Sequence, residues 1–292
     1  MTKLDIQSLR ERVERINTLP TIPSVLKKLL GVIENPRISL SEISHFISND
    51  PALATKVLKM VNSPVYGFPG RISSVSQAVI LLGLNVVKGL LLGVSVFDLM
   101  QKSMIGLWEH SIGCAVMARI IAKKKQFKEP EEVSVGGLLH DIGKVILILQ
   151  FPDDYQKAMS EAEKTNITIA EAERNFFAAN HASAGAWVAR KWSFPRNLTD
   201  MIECHHRPHL AKNAPFQTAV VHLSDVLLRG RGFGFAGDNK VPAVNPATWE
   251  KLQLSKEDIL DVLSESEDAL EMTKDLVLCV KKRLSSFPRI WR

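Results

Sequence analysis

Apolar residues recur at intervals of three and four along most of the chain, and period-2 alternation is scarce. Ile22, Val25, Leu26, Leu29 and Leu30 form one stripe, and Leu53, Val57, Met60 and Val61 form another. This spacing predicts helices with one buried face. The start signals agree. Ser39–Glu42, Ser74–Gln77 and Thr168–Glu171 each place a hydroxyl three residues before a Glu or Gln. That is a capping box, which satisfies the free amides of a helix start. Asp50-Pro51 reads as an N-cap followed by a first-turn proline. The pattern predicts an all-α fold, a multi-helix bundle.

Interruptions fall at Asn35-Pro36, across Asn62–Ser74, at Phe151-Pro152, at Phe194-Pro195 and across Gly230–Ala247. Seven of the eight histidines lie at or after position 110. The chain therefore divides into a chemically quiet N-terminal helical layer (residues 1–105), a helical core with the polar chemistry (106–230), and a loop with a last helix (231–292), whose amphipathic pattern runs from about Lys256 to Leu284. Ala78–Phe97 imitates a membrane span, but Asn85 and Lys88 stand near its centre. A lysine at mid-bilayer costs roughly 2.5–3.5 kcal/mol. Gly83 and Asn85 supply a break, so two buried helices joined by a short turn are expected, without a membrane partner. Gly232–Gly237 matches the dinucleotide pattern GxGxxG only formally, because no strand precedes it.

With 292 residues, 46% of them apolar, the chain can bury a full core. A net charge of +6 suits phosphate-bearing ligands. The basic residues are scattered, apart from Lys123–Lys125 and Lys281–Arg283, which read as solvated helix ends. No groove-reading motif is present, so nucleic acid is not an expected partner. Cys114, Cys204 and Cys279 are odd in number and far apart, which supports no disulfide framework and fits a reducing cytoplasm. The charged N-terminus does not read as a signal peptide.

The candidate chemistry centres on Gly136–Lys144, "GGLLHDIGK", in a helix expected from Glu131 to about Leu149. Mid-helix glycines cost about 0.5–1 kcal/mol each relative to alanine. Gly136 and Gly137 would justify that cost by clearing space for an ion or phosphate, or by allowing a close helix crossing. Lys144 shares the face of His140 and Asp141. His110 lies on an inward stripe with Leu107, Cys114 and Met117, and taken alone reads as a core histidine. His181 opens "HASAGAWVARKW" among small residues, as a ligand or an N-terminal cap. His205-His206 end a helix stopped by Pro208, where an imidazolium would also suit the helix dipole. Asp225 interrupts an apolar helix, with His222 three residues before it as a candidate supporting partner.

Taken together, His110, His140, Asp141, His181, His205, His206 and Asp225 exceed what one ion requires. Two divalent ions sharing a bridging carboxylate are the natural arrangement. Imidazole and carboxylate donors suit iron, manganese, nickel or zinc, and suit magnesium less.

Four stretches, "LPTIPSVLKKLL", "ISNDPALATKVLKMVNSPVYG", "ISSVSQAVILLGLNVVKGLLL" and "GLLHDIGKVIL", carry a family resemblance over roughly Leu19–Arg229. The chain resembles the HDOD (HD-related output domain) family, within the HD superfamily of metal-dependent phosphohydrolases. The resemblance implies an all-helical, cytoplasmic domain of bacterial signalling. Many such domains have lost metal ligands and serve as regulatory modules; this chain keeps the set, in the order of the related HD-GYP phosphodiesterases. Carried over from that group, His110, His140, Asp141 and Asp225 would hold one ion. Asp141 would bridge to a second, held by His181, His205 and His206. The Gly-Tyr-Pro segment of that group is missing from "HHRPHLAKNAPF", and with it the expectation of cyclic di-GMP hydrolysis.

Two functions follow from the resemblance. One is a regulatory output module that holds metal and meets a signalling protein. The other is a phosphohydrolase acting on a phosphorylated small molecule or nucleotide, with Asp141 beside the attacking hydroxide and Lys144 on a non-bridging phosphate oxygen.

Overall fold

Fifteen α-helices and no strand make up the described residues of the computed structural model, namely 5–16, 24–35, 37–66, 68 and 70–284. Helices α1 (Ile6–Glu14), α2 (Ser24–Ile33), α3 (Leu40–Ser48) and α4 (Pro51–Val61) precede the long α5 (Val75–Ser103). Then come α6 (Leu107–Lys124), α7 (Pro130–Leu139), α8 (Ile142–Gln150), α9 (Pro152–Thr165), α10 (Ile169–Phe176), α11 (His181–Lys191), α12 (Arg196–Cys204) and α13 (Pro215–Gly230). A 3₁₀ turn, Pro208–Leu210, separates α12 from α13, and α14 (Pro246–Leu252) and α15 (Lys256–Leu284) close the chain. The all-α expectation holds.

The start signals act as read. Ser39 and Thr168 each complete a capping box, and Asp50 accepts from the amides of Ala52 and Leu53 ahead of Pro51. At Ser74 the hydroxyl accepts from the Gln77 amide, but the Gln77 side chain turns to the amide of Ser73. Leu26, Leu29, Leu30, Leu53, Val57, Met60 and Val61 are buried. Ile22 and the Val25 side chain lie outside the described residues, as do the side chains of Cys279 and of Lys281–Arg283.

The span-like stretch is a core helix. Two-thirds of its most apolar window is buried, and it bends at Gly83, whose φ of 75° only glycine adopts freely. The expected turn thus shrinks to one residue. Burial is incomplete, because Ile80 and Leu81 remain 73% and 53% exposed. Lys88 is buried and donates to the Ile33 carbonyl, an unpaired acceptor at the end of α2, at 3.2 Å.

Helix α1 departs from the expected N-terminal layer and packs on α8 and α11. The Gln150 side chain donates to the Arg12 carbonyl at 2.9 Å, and the Arg12 guanidinium lies 4.3 Å from the Phe151 ring centre.

The expected helix over 131–149 is broken. Helix α7 stops at Leu139 and α8 starts at Ile142, with Asp141 at φ −97° and ψ 9°, a sparsely populated backbone conformation. The glycines around this break serve packing, not an ion-sized gap. A Cβ on Gly137 would sit 2.7 Å from the Cys114 carbonyl oxygen, and one on Gly136 would strike Met201. A Cβ on Gly143 would overlap the His181 carbonyl and come within 2.7 Å of the Gly185 amide nitrogen. Backbone cannot yield as a side-chain tip can. Gly143→Ala is therefore expected to force α8 from α11 and to lower the unfolding free energy by about 2–3 kcal/mol, measured by chemical denaturation. An unchanged midpoint would refute this close approach.

Candidate metal centre

Helices α6, α7, α11, α12 and α13, with the α7–α8 break, bring all seven expected donors together. His110, His140, His181 and His205 are at most 1% exposed, Asp141 is 1% and Asp225 2% exposed, and only His206 keeps a partly open edge. The break turns His140 and Asp141 inward together, which a continuous helix would not do for adjacent residues.

The donors form two groups around Asp141. On one side, Asp141 Oδ2 lies 3.3 Å from His140 Nε2 and 3.6 Å from His110 Nε2. His110 Nε2 in turn lies 3.3 Å from His140 Nε2 and 3.2 Å from Asp225 Oδ1. On the other side, Asp141 Oδ1 lies 3.2 Å from His181 Nε2 and 3.8 Å from His205 Nε2. His181 Nε2 is 3.3 Å from His205 Nε2 and 2.9 Å from His206 Nε2.

Ring orientation is set from outside. His140 Nδ1 donates to the Gly137 carbonyl at 2.7 Å, His205 Nδ1 to the Ile202 carbonyl at 2.8 Å, and His181 Nδ1 to Glu173 Oε2 at 2.6 Å. Carbonyls and carboxylates only accept, so each Nδ1 carries the proton. In the neutral rings the inward Nε2 atoms are then bare lone pairs. His181 and His205 point two of these at each other, an arrangement that calls for a cation between them. The Oδ1 atoms of Asp141 and Asp225 are buried and accept no hydrogen bond of good geometry. These orphaned acceptors fit a divalent ion, and the donor set offers the imidazoles and carboxylates that such ions take.

The charge balance agrees. Asp141, Asp225 and Glu173 are buried acids, against which Lys144 is the buried cation in direct contact. Arg229 is nearby but committed to Asp238, with the Lys240 carbonyl on its Nε. Burial drives the carboxyls of Asp141 and Asp225 upward, yet His140 and Lys144 hold Asp141, and His110 and Arg229 hold Asp225, well below the ordinary range. Burial pulls His110, His205 and His206 below the usual imidazole value. It also opposes charge on His140 and His181, but Asp141 and Glu173 outweigh it and move these two upward.

Several parts of the centre are set by residues that the motifs do not mark. Glu173 accepts from the Tyr155 hydroxyl at 2.8 Å, from the His181 amide at 2.7 Å and from His181 Nδ1. Its signal was available: an acid four residues after Ile169 on a buried face, the criterion that finds Asp225. The glycine-rich loop is a strap over the centre. Gly234 (φ 73°) sits against the His110 backbone where a Cβ would not fit, and Phe235 N–H donates to the Gly106 carbonyl. Lys144 Nζ reaches the Ala236 carbonyl at 2.7 Å and Asp141 Oδ2 at 2.5 Å.

His222 does not support Asp225. Its Nδ1 donates to the His205 carbonyl at 2.7 Å, and its Nε2 accepts from the Asn245 amide at 2.9 Å, so it ties α12 and the strap to α13. Burial lowers its pKa. The unfolded chain therefore binds this proton more readily, and the stability is present above the ordinary value of about 6.5 and lost as pH falls below it. Metal-free protein is expected to lose stability as pH falls below about 6.5, with a smaller slope in His222→Gln. Equal slopes in urea titrations at several pH values would exclude this role.

Known structures share the architecture. An HDOD domain protein from Geobacter sulfurreducens superposes with a TM-score of 0.69 at 26% identity, covering 93% of this chain and 98% of the other. A protein from Marinobacter aquaeolei named a signal transduction protein gives 0.66 at 21% identity, covering 96% and 65%. A Shewanella amazonensis protein named a phosphohydrolase gives 0.56 at 20% identity, covering 93% of each. The chain spans less than half the length of the curated relatives it matches; one from Treponema pallidum is 29% identical over 221 residues, 74% of this chain and 43% of its own length. The HDOD domain family model matches residues 19–208, which carry helices α2–α12, the His140-Asp141 break and the paired histidines, and the chain belongs to that family.

Proposed function

We propose that this chain is a regulatory HDOD module that holds two divalent ions, one near His110, His140 and Asp225, the other near His181, His205 and His206, with Asp141 between them. One observation carries the reading: the two oxygens of Asp141 face separate groups of inward Nε2 atoms, at 3.3 Å from His140 and 3.2 Å from His181. Iron, manganese, nickel and zinc all suit these donors. The signalling role rests on the family and on the similarity to a signal transduction protein. A partner protein would read whether the centre is filled, since the strap contacts both His110 and Lys144.

A second reading, hydrolysis of a phosphorylated small molecule or nucleotide, is favoured by Lys144. Bound ions would supply a water of near-neutral pKa and offset phosphoryl charge. Lys144 Nζ, held on the bridging carboxylate, would then be freed to bind a non-bridging phosphate oxygen as a point charge.

The test is elemental analysis of protein purified with and without oxygen, beside turnover of a generic phosphodiester by metal-loaded protein. About two ions per chain without turnover supports the regulatory reading. Turnover favours the hydrolase. Metal content near zero in both preparations, unrestored by adding iron, manganese, nickel or zinc, overturns both.

A further inference from the structure

We propose that Cys114 is a metal ligand, its Sγ joining His110 Nε2, His140 Nε2 and Asp225 Oδ1 in a four-donor pocket for one ion. The inference rests on the metal reading above and adds to it a sulfur donor. Cys114 follows His110 by four residues on α6, so both side chains project from one face, one turn apart. The four donor atoms lie within 4.8 Å of one another. Sγ is 3.6 Å from His110 Nε2, which is 3.3 Å from His140 Nε2 and 3.2 Å from Asp225 Oδ1.

The three edges that meet at His110 Nε2 have the lengths of a tetrahedral site, to which Asp141 Oδ2, 3.6 Å from the same nitrogen, would add a fifth donor. Metal–sulfur bonds of about 2.3 Å and metal–nitrogen or metal–oxygen bonds of about 2.0–2.1 Å place sulfur and nitrogen about 3.6 Å apart, and the lighter donors about 3.3–3.4 Å apart. A second observation points to the same spot: Asp225 Oδ1 is buried, faces His110 Nε2 and accepts no hydrogen bond of good geometry. A thiol is a weak hydrogen-bond donor, so its contact with an imidazole contributes little without an ion. On binding, the S–H bond breaks, its proton leaves to solvent, and a sulfur lone pair forms the metal–sulfur bond.

The two positions then differ in chemistry. The group near His181, His205 and His206 contains no sulfur, whereas a thiolate draws zinc or iron in preference to manganese. The centre would be selective for a pair of unlike ions.

The experiment is cobalt(II) titration of the full chain, its Cys114→Ser variant and a Cys204→Ser control, with bound cobalt measured by elemental analysis. Cobalt-loaded parent and control are expected to show a near-ultraviolet sulfur-to-cobalt charge-transfer band, lost in Cys114→Ser. A cobalt-loaded parent without the band, or a band that survives in Cys114→Ser, overturns thiolate ligation and leaves the metal centre standing. A parent that binds no cobalt overturns both. Should Cys114→Ser fail to fold or to bind cobalt, X-ray absorption fine structure of zinc-loaded Cys204→Ser decides. A sulfur scatterer at about 2.3 Å is expected, and a shell of nitrogen and oxygen alone overturns the proposal.

Discussion

Asp141→Ala is expected to remove most of the bound metal and to destabilise the metal-free protein as well. Both carboxylate oxygens face imidazole groups, so one substitution withdraws a donor from each position. In the metal-free state the same carboxylate neutralises Lys144, which is 1% exposed and would keep only the Ala236 carbonyl. Breaking one side of a buried pair costs about 3–5 kcal/mol, because a charge is left uncompensated. Parent protein in metal at a hundred times its dissociation constant gains a further ~2.7 kcal/mol that the variant forgoes. Elemental analysis and urea denaturation with and without chelator measure the two parts. A double variant, Asp141→Ala with Lys144→Met, is expected to recover stability but not metal. Parent-like metal content in Asp141→Ala would end the bridging role.

Glu173→Ala is expected to have the second largest effect, although Glu173 donates nothing to the proposed ions. It leaves the Tyr155 hydroxyl, the His181 amide and His181 Nδ1–H buried without their acceptor. At about 1–2 kcal/mol for each of these groups, a loss on the order of 3–6 kcal/mol follows. Metal affinity is expected to fall about 10–100-fold, since nothing then holds the His181 ring with Nε2 bare and inward. Glu173→Gln, which keeps one acceptor, is expected to fall between. Competition against a chelator measures the affinity, and nitrogen-detected NMR of His181 reports which ring nitrogen holds the proton. Parent-like affinity in both variants would reduce Glu173 to a packing residue.

The helical class and most helix starts were legible because they depend on neighbours in sequence. Ser39, Asp50 and Thr168 act within three residues of themselves. The candidate donors stood out for another reason: an Asp such as Asp225 in an oily helix is costly unless something compensates it. What lay beyond reach was set by tertiary contact. Gly136 and Gly137 looked like cleared space because their neighbours, Met201 and Cys114, are remote in sequence. The helix expected through His140 breaks because two adjacent residues must both face inward. His222 seemed aimed at Asp225 by spacing, but the His205 carbonyl and the Asn245 amide claim both its nitrogens. The strap defied reading because its glycines answer to the backbone of His110, not to a motif.

If the seven candidate donors, spread from His110 to Asp225, hold metal, their spacing has a consequence for biosynthesis. At elongation rates of about 5–20 residues per second, roughly 6–23 s separate the first donor from the last on the ribosome. Through that interval the nascent chain presents an incomplete chelator of isolated imidazoles. Metal loading would then wait until α13 docks, and would fall to whichever ions the chain meets from that point.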